Sequence, residues 1–238
     1  MILCLDAGNS RLKWGLAEPA GWLAQGALDW DDAQMLSALV AGWPPLTRVV
    51  LSSVACEARE ALLAQAFPGQ VLEHMVSTCA AAGVVNGYLQ PRQLGVDRWC
   101  ALIGARSLSQ QPCLVVTAGT ATTIDSLDGE GRFLGGLILP GLEMMHTALA
   151  QGTARLPRAP GAYQDFPRQT QDAIRTGCLE AQLGAIERAY ARLPGAALCF
   201  LSGGAAPALE RQLELPLLRV DNLVLEGLRL LALNGSAP

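Results

Sequence analysis

Asp6, Lys13 and the turn between them carry the residue types that phosphoryl chemistry uses. The segment Leu5-Asp6-Ala7-Gly8-Asn9-Ser10 reads as an apolar strand ending in a carboxylate and a glycine turn. Such a turn aims backbone N–H groups at one point, an anion-binding nest that needs no positive charge. Ser10 adds a hydroxyl, and Lys13, across the same predicted hairpin, can neutralise phosphate charge. A carboxylate beside a phosphate repels it unless a divalent cation lies between them. Mg2+ commonly takes one or two carboxylates plus phosphate oxygens and waters. The bland alternative is an ordinary turn capped by Asp6.

Val116-Thr117-Ala118-Gly119-Thr120-Ala121 aligns with the first turn, again after one apolar strand and before another. Thr120, Thr122 and Thr123 supply hydroxyls there. Two copies of a strand–glycine turn–strand unit predict a duplicated domain, and two such halves facing each other would put both turns on one cleft. A third segment has Asp97 and Arg98 next to Gly95, just before the apolar helix that begins at Trp99. A carboxylate near a helix N-terminus has its ionised form favoured.

The elements that must position these groups follow from periodicity. Strands are predicted at 1–6, 11–17, 22–28, 48–54 and 70–76, with helices at 29–42, 56–66 and 95–109. The second half gives strands at 112–117, 122–127, 132–139, 197–202 and 216–220. Its helices are predicted at 140–150 and 170–192, after Gly203-Gly204, and at 222–233. The division implied is a first domain over 1–111 and a second over 112–238.

Composition excludes several other chemistries. The 238 residues include 51% apolar and 16% charged residues, enough for a sizeable core. Net charge is −4, which disfavours a nucleic-acid partner. Lys13 is the single lysine and follows Leu12, so no Walker A loop exists. Gly129-Glu130-Gly131 has Leu134 where a dinucleotide fingerprint needs its third glycine. No GxSxG elbow is present, and His74 and His146 lack metal-ligand spacing. No apolar run reaches membrane-helix length, and the N-terminus lacks a basic signal region. Seven scattered cysteines are read as buried thiols in a reducing, cytoplasmic setting. Arg155, Arg158 and Arg168 form a basic loop, read by default as solvated.

Three segments together resemble the type III pantothenate kinases. Asp6-Ala7-Gly8-Asn9-Ser10 resembles their Asp-x-Gly-Asn-Thr/Ser motif, Gly95-Val96-Asp97-Arg98 their Gly-x-Asp-Arg motif, and Gly119-Thr120-Ala121-Thr122-Thr123 their Gly-Thr-Ala-x-Thr motif. Tyr88 before Pro91, Gly135-Gly136, Pro140-Gly141, Gln169-Thr170, Ser202-Gly203-Gly204 and Leu225-Glu226-Gly227 follow in the family's order. The resemblance spans nearly the whole chain. It implies an α/β fold of two ribonuclease H-like domains, as in the sugar kinases, heat-shock ATPases and actin, with the ligand cleft between them.

It further implies transfer of the ATP γ-phosphoryl to the hydroxyl of pantothenate, the first step of coenzyme A synthesis. Asp6, Ala7, Gly8, Asn9, Ser10, Arg11, Leu12 and Lys13 would hold ATP phosphates, with Asp6 near Mg2+ and Thr120 on ATP from the second turn. Asp97 would be the general base. Tyr88, Gly95, Val96, Asp97, Arg98 and Thr170 would bind pantothenate, and Gly203-Gly204 would lie near the nucleoside. A homodimer is implied, with no membrane and no nucleic acid. Two other readings compete: a regulatory protein of the same fold resembling transcription accessory factors, and a kinase for another small hydroxyl substrate. One departure stands out. Many family members place Asp, a potassium or ammonium ligand, where this chain has Thr117. A neutral hydroxyl is a poorer cation ligand, so the monovalent cation is weakly held, absent or met differently, with Asp125 a candidate substitute.

Overall fold

The computed structural model describes residues 1–33, 35–153 and 160–235. Its first sheet starts with an antiparallel meander of β1 (Ile2–Ala7), β2 (Arg11–Glu18) and β3 (Gly21–Asp29). Helix α1 (Met35–Ala41) leads to β4 (Arg48–Ser53), and α2 (Glu57–Ala66) to β5 (Leu72–His74). Both later strands run parallel to β1, giving the order β3-β2-β1-β4-β5. Central β1 and β4 are buried almost throughout, as their continuous apolar runs require. Edge strand β3 instead alternates between part-buried and exposed residues.

A small hairpin, β6 (Ala80–Ala81) and β7 (Val84–Val85), precedes α3 (Val96–Leu108). The second sheet then repeats the first. It contains β8 (Cys113–Ala118), β9 (Ala121–Leu127), β10 (Phe133–Pro140), β11 (Leu198–Ser202) and β12 (Leu217–Arg219). Their order is β10-β9-β8-β11-β12, with β8 and β9 antiparallel and β11 and β12 parallel additions. Helices α4 (Leu142–Gly152) and α5 (Thr170–Tyr190) precede β11; α6 (Ala206–Glu210) separates β11 from β12; α7 (Leu223–Leu233) ends the chain. The fold is thus mixed α/β with two like-ordered mixed sheets flanked by helices.

The first compact unit comprises Met1–Ser109, Gly131–Phe133 and Asn222–Pro238; the second comprises Gln110–Glu130 and Leu134–Asp221. The division expected from sequence at 111/112 therefore assigns α7 to the wrong unit. The reason is packing. A Cβ on Gly227 of α7 would come within 1.9 Å of the Cys100 carbonyl of α3, and one on Gly104 of α3 within 2.4 Å of the Leu223 carbonyl. The two helices meet backbone to backbone, and only glycine allows that approach.

In the first unit, Leu3, Leu5, Leu12, Trp14, Leu51 and Leu63 form a core on one face of the sheet. Alternation then turns Cys4, Asp6, Lys13 and Ser52 to the opposite face. In the second unit, Leu114, Val116 and Ile124 of the strands pack against Leu179, Leu183 and Ile186 of α5. Among the described residues no helix is long and apolar enough to cross a membrane.

Candidate active site

A polar row crosses the first sheet. Asp6 is directly opposite Lys13 on β2 and level with Ser52 on β4. Burial pushes the Asp6 carboxyl from 3.8 up to about 7; Lys13 opposes the rise and Asp97 adds to it. Cys100 of α3 is fully buried, and its thiol is held well above its ordinary range by burial, then by Asp6 and Asp97. Ser52 is fully buried, and its Oγ has no hydrogen-bond partner among the described residues. Sequence reasoning missed Ser52, because nothing short of strand register places it beside Asp6.

The loop after Asp6 is tied down at each step. The Gly8 N–H donates to the Arg11 carbonyl at 3.1 Å, the Trp30 Nε1–H donates to the Gly8 carbonyl at 3.0 Å, and Arg59 donates to the Asn9 carbonyl. Asn9 and Ser10 are exposed at the tip. The Ala7 and Leu12 side chains are fully buried in the core, so their contribution to a ligand is limited to main chain. Arg11 is at the surface, paired with Asp29 at 2.9 Å.

Asp97 is in the first turn of α3, after the Gly95 cap and Val96. Its Oδ1 accepts the Arg98 N–H at 2.8 Å, which leaves Oδ2 for another partner. A Cβ on Gly95 would come within 2.7 Å of Asp97 Oδ1. A side chain at position 95 would crowd the carboxylate in this rotamer. Arg98 is buried at 5% exposure, and its Nη1 donates to the Tyr88 hydroxyl at 2.8 Å. Its guanidinium lies 5.6 Å from the Tyr88 ring centre and 5.8 Å from that of Phe133, and the two rings stack at 5.5 Å. A buried guanidinium fork between rings suits a carboxylate guest.

Asn86 shapes the loop beneath Tyr88. Its Nδ2 donates to the Thr78 and Pro91 carbonyls, each at 3.1 Å, and its Oδ1 accepts the Tyr88 N–H at 3.0 Å. Phe133 and Asn86 went unread in the sequence. Phe133 is 35 residues past Arg98 in the chain, and no local pattern joins them.

The second hairpin is one residue tighter than the first. The Gly119 N–H reaches the Ala121 carbonyl at 2.9 Å, so the loop is Gly119-Thr120 alone. Behind it, Ala205 N–H donates to the Ala118 carbonyl at 3.0 Å and Gly141 N–H to the Thr120 carbonyl at 2.9 Å. Thr120 is exposed at the turn. Buried Thr122 donates to Gln182 Oε1 at 3.0 Å. Thr117 pairs with Thr123 across the hairpin, and alternation puts Asp125, 1% exposed, on the same face.

Thr170 is exposed at the start of α5. It lines an apolar groove of about 770 Å³ with Met144, Met145 and Leu149 of α4 and Ile174 of α5. Of the expected site residues, the first unit therefore gathers Asp6 to Lys13, Tyr88 and Gly95 to Arg98. The second holds Thr117, Thr120 and Thr170.

Arg155 and Arg158 lie outside the described residues, and Arg168 is exposed. Five cysteines are buried as expected, whereas Cys56 and Cys79 are exposed, because each falls in a connection outside the strands and helices. No group of three or more His, Cys, Asp or Glu that could hold a metal occurs among the described residues. A lone carboxylate at Asp6 beside a turn fits Mg2+, which keeps waters and phosphate oxygens, better than a metal needing an all-protein cage.

The family model of type III pantothenate kinase matches residues 2–192. The type III pantothenate kinase of Dechloromonas aromatica is 51% identical over 241 residues, covering 99% of this chain and 100% of the relative. A Campylobacter jejuni structure described as a Baf family transcriptional activator superposes with a TM-score of 0.65 at 20% identity, covering 99% of this chain and 100% of that one. A Sinorhizobium meliloti structure described as a 2-dehydro-3-deoxygalactonokinase gives 0.61 at 13% identity, with both chains fully covered. At these identities the structures speak for the fold alone, that of the actin-like ATPases and sugar kinases.

Proposed function

The chain belongs to the type III pantothenate kinases, and from that membership we propose that it moves the ATP γ-phosphoryl to the pantothenate hydroxyl. The product is 4′-phosphopantothenate, which opens coenzyme A synthesis. The observation that carries the site assignment is Asp97, fixed at the start of α3 beside buried Arg98.

In this reading Arg98, braced by Tyr88 and Phe133, receives the pantothenate carboxylate. That pairing brings the hydroxyl toward Asp97 Oδ2. The hydroxyl oxygen forms its bond to the γ-phosphorus as the bond from phosphorus to the bridging oxygen breaks, and ADP leaves. The hydroxyl proton passes to Asp97. Phosphoryl transfer is mostly positioning and charge neutralisation, so a weak carboxylate base suffices. The loop N–H groups and Lys13 hold the phosphates. Asp6 is the residue that would hold Mg2+, which neutralises phosphate charge when bound.

The Thr117, Thr123 and Asp125 face supports a weak monovalent-cation site with one carboxylate. The rate should change little when potassium or ammonium replaces sodium, and strict dependence on potassium would contradict this. We also propose a cytoplasmic homodimer. Its support is apolar surface: the α4–α5 groove, with Leu134, Leu137 and Ile138 of β10 exposed at 53%, 39% and 65%. The overall function is tested by incubating purified protein with Mg-ATP and pantothenate and detecting the phosphorylated product directly. Product confirms the reaction. ATP turnover with other small alcohols only would contradict it.

A further inference from the structure

The two hairpins hold their loop carbonyls by different means. In both, the carbonyl of the residue before the glycine accepts a backbone N–H: Val54 to Ala7 at 3.1 Å, and Ala205 to Ala118 at 3.0 Å. In the second hairpin the next acceptor, Thr120, is again held by backbone, from Gly141. In the first, side chains do this work. Trp30 Nε1–H holds the Gly8 carbonyl at 3.0 Å and Arg59 holds the Asn9 carbonyl. The pair is itself joined, with the Arg59 guanidinium 5.2 Å from the Trp30 ring centre.

Those two bonds fix more than two oxygens. A trans peptide is planar, so its N–H points opposite its C=O, and the described chain has no cis peptide. Drawing the Gly8 carbonyl toward Trp30 turns the Asn9 N–H the other way. Drawing the Asn9 carbonyl toward Arg59 does the same for the Ser10 N–H. The loop then offers donors, not acceptors, on the side away from Trp30 and Arg59. A carbonyl turned to that side would repel an anion and remove a donor.

We propose that Trp30 and Arg59 form a positioning brace that sets the peptide planes of Gly8–Ser10 for a nucleoside triphosphate. Neither residue touches the reacting atoms. The proposal rests on the kinase reading above. Trp30 is nearly fully buried in the first core, while Arg59 is partly exposed on α2. Arg59 can therefore be changed without touching the core.

The test is equilibrium binding of the non-hydrolysable β,γ-imido analogue of ATP with Mg2+, for wild type, Trp30→Phe, Arg59→Ala and Arg59→Lys. Losing a hydrogen bond to a carbonyl predicts about 3–10-fold weaker binding for Trp30→Phe, and about tenfold or more for Arg59→Ala, where the donor is charged. Arg59→Lys should restore only part of the loss, since lysine lacks the flat fork that stacks on the ring. Pantothenate KM should be unchanged in every variant, which a merely destabilised protein would not show. Wild-type affinity in Arg59→Ala overturns the proposal. So does full affinity in Arg59→Lys, which would make charge alone responsible. If Trp30→Phe does not fold, the two Arg59 variants decide the matter. Wild-type protein that binds the analogue but does not phosphorylate pantothenate would defeat the functional reading, and the variant series would still judge the brace.

Discussion

Asp6 has to be ionised to hold a metal, yet its surroundings favour the neutral acid. Burial raises its carboxyl from 3.8 to about 7, more than Lys13 restores. A carboxyl raised in the folded state binds its proton more tightly there than in the unfolded chain. Its stabilising contribution is greatest below the ordinary carboxylate range and is lost as pH climbs from about 4 to 7. Above that, the ionised buried group weighs against the fold. Asp6→Asn should therefore raise the melting temperature at pH 8, by about 2–4 °C per kcal/mol recovered, with the difference vanishing near pH 4. Scanning calorimetry at both pH values checks this, and a less stable Asp6→Asn at pH 8 would contradict it. Affinity of the wild type for Mg-ATP should rise as pH passes upward through 7. At this scale the sequence was legible where chemistry is local. The Asp6 turn and the Gly95–Arg98 run announce themselves by type and spacing. Ser52, Phe133, Trp30 and Arg59 do not, because each reaches its partner through register or tertiary packing.

In the proposed reaction Asp97 depends on the placement of helix α3, which carries it. The device is its contact with α7, where Gly104 and Gly227 let the backbones touch. In an isolated helix, Gly to Ala gains about 1 kcal/mol. Here the clash with the Cys100 carbonyl opposes that gain and should win, since overpacking costs about 1–3 kcal/mol. Gly227→Ala is expected to lower both stability and turnover, the latter through displacement of α3. Denaturant unfolding and steady-state kinetics measure the two effects, and a more stable, fully active Gly227→Ala would contradict the account. Element boundaries were largely legible from periodicity and turn residues. The predicted helix at 29–42 is instead a 3-10 turn at Trp30–Asp32 followed by α1. Two-residue strands such as β6 and β7 are too short for any periodicity to show.

At the scale of the molecule, duplication explains much of the fold. Two sheets share one strand order, and each starts with a glycine hairpin. The repeat was visible in the sequence because the turns keep their residue types. The return of α7 to the first unit was not, since a linear division cannot show which partner a terminal helix finds. The exposed apolar residues of β10 and the α4–α5 groove lead to a prediction about assembly. Light scattering should report a dimer, and Ile138→Glu together with Met144→Glu, both at exposed positions, should give a folded monomer. A monomeric wild type would contradict the dimer.

The most direct test of the central claim is the turnover of Asp97→Asn. The substitution keeps size and polarity but removes the proton acceptor. Loss of a general base predicts a fall in kcat of about 10²–10⁴-fold, with affinity for the ATP analogue unchanged. A kcat near that of the wild type would contradict the assignment of Asp97 as the base.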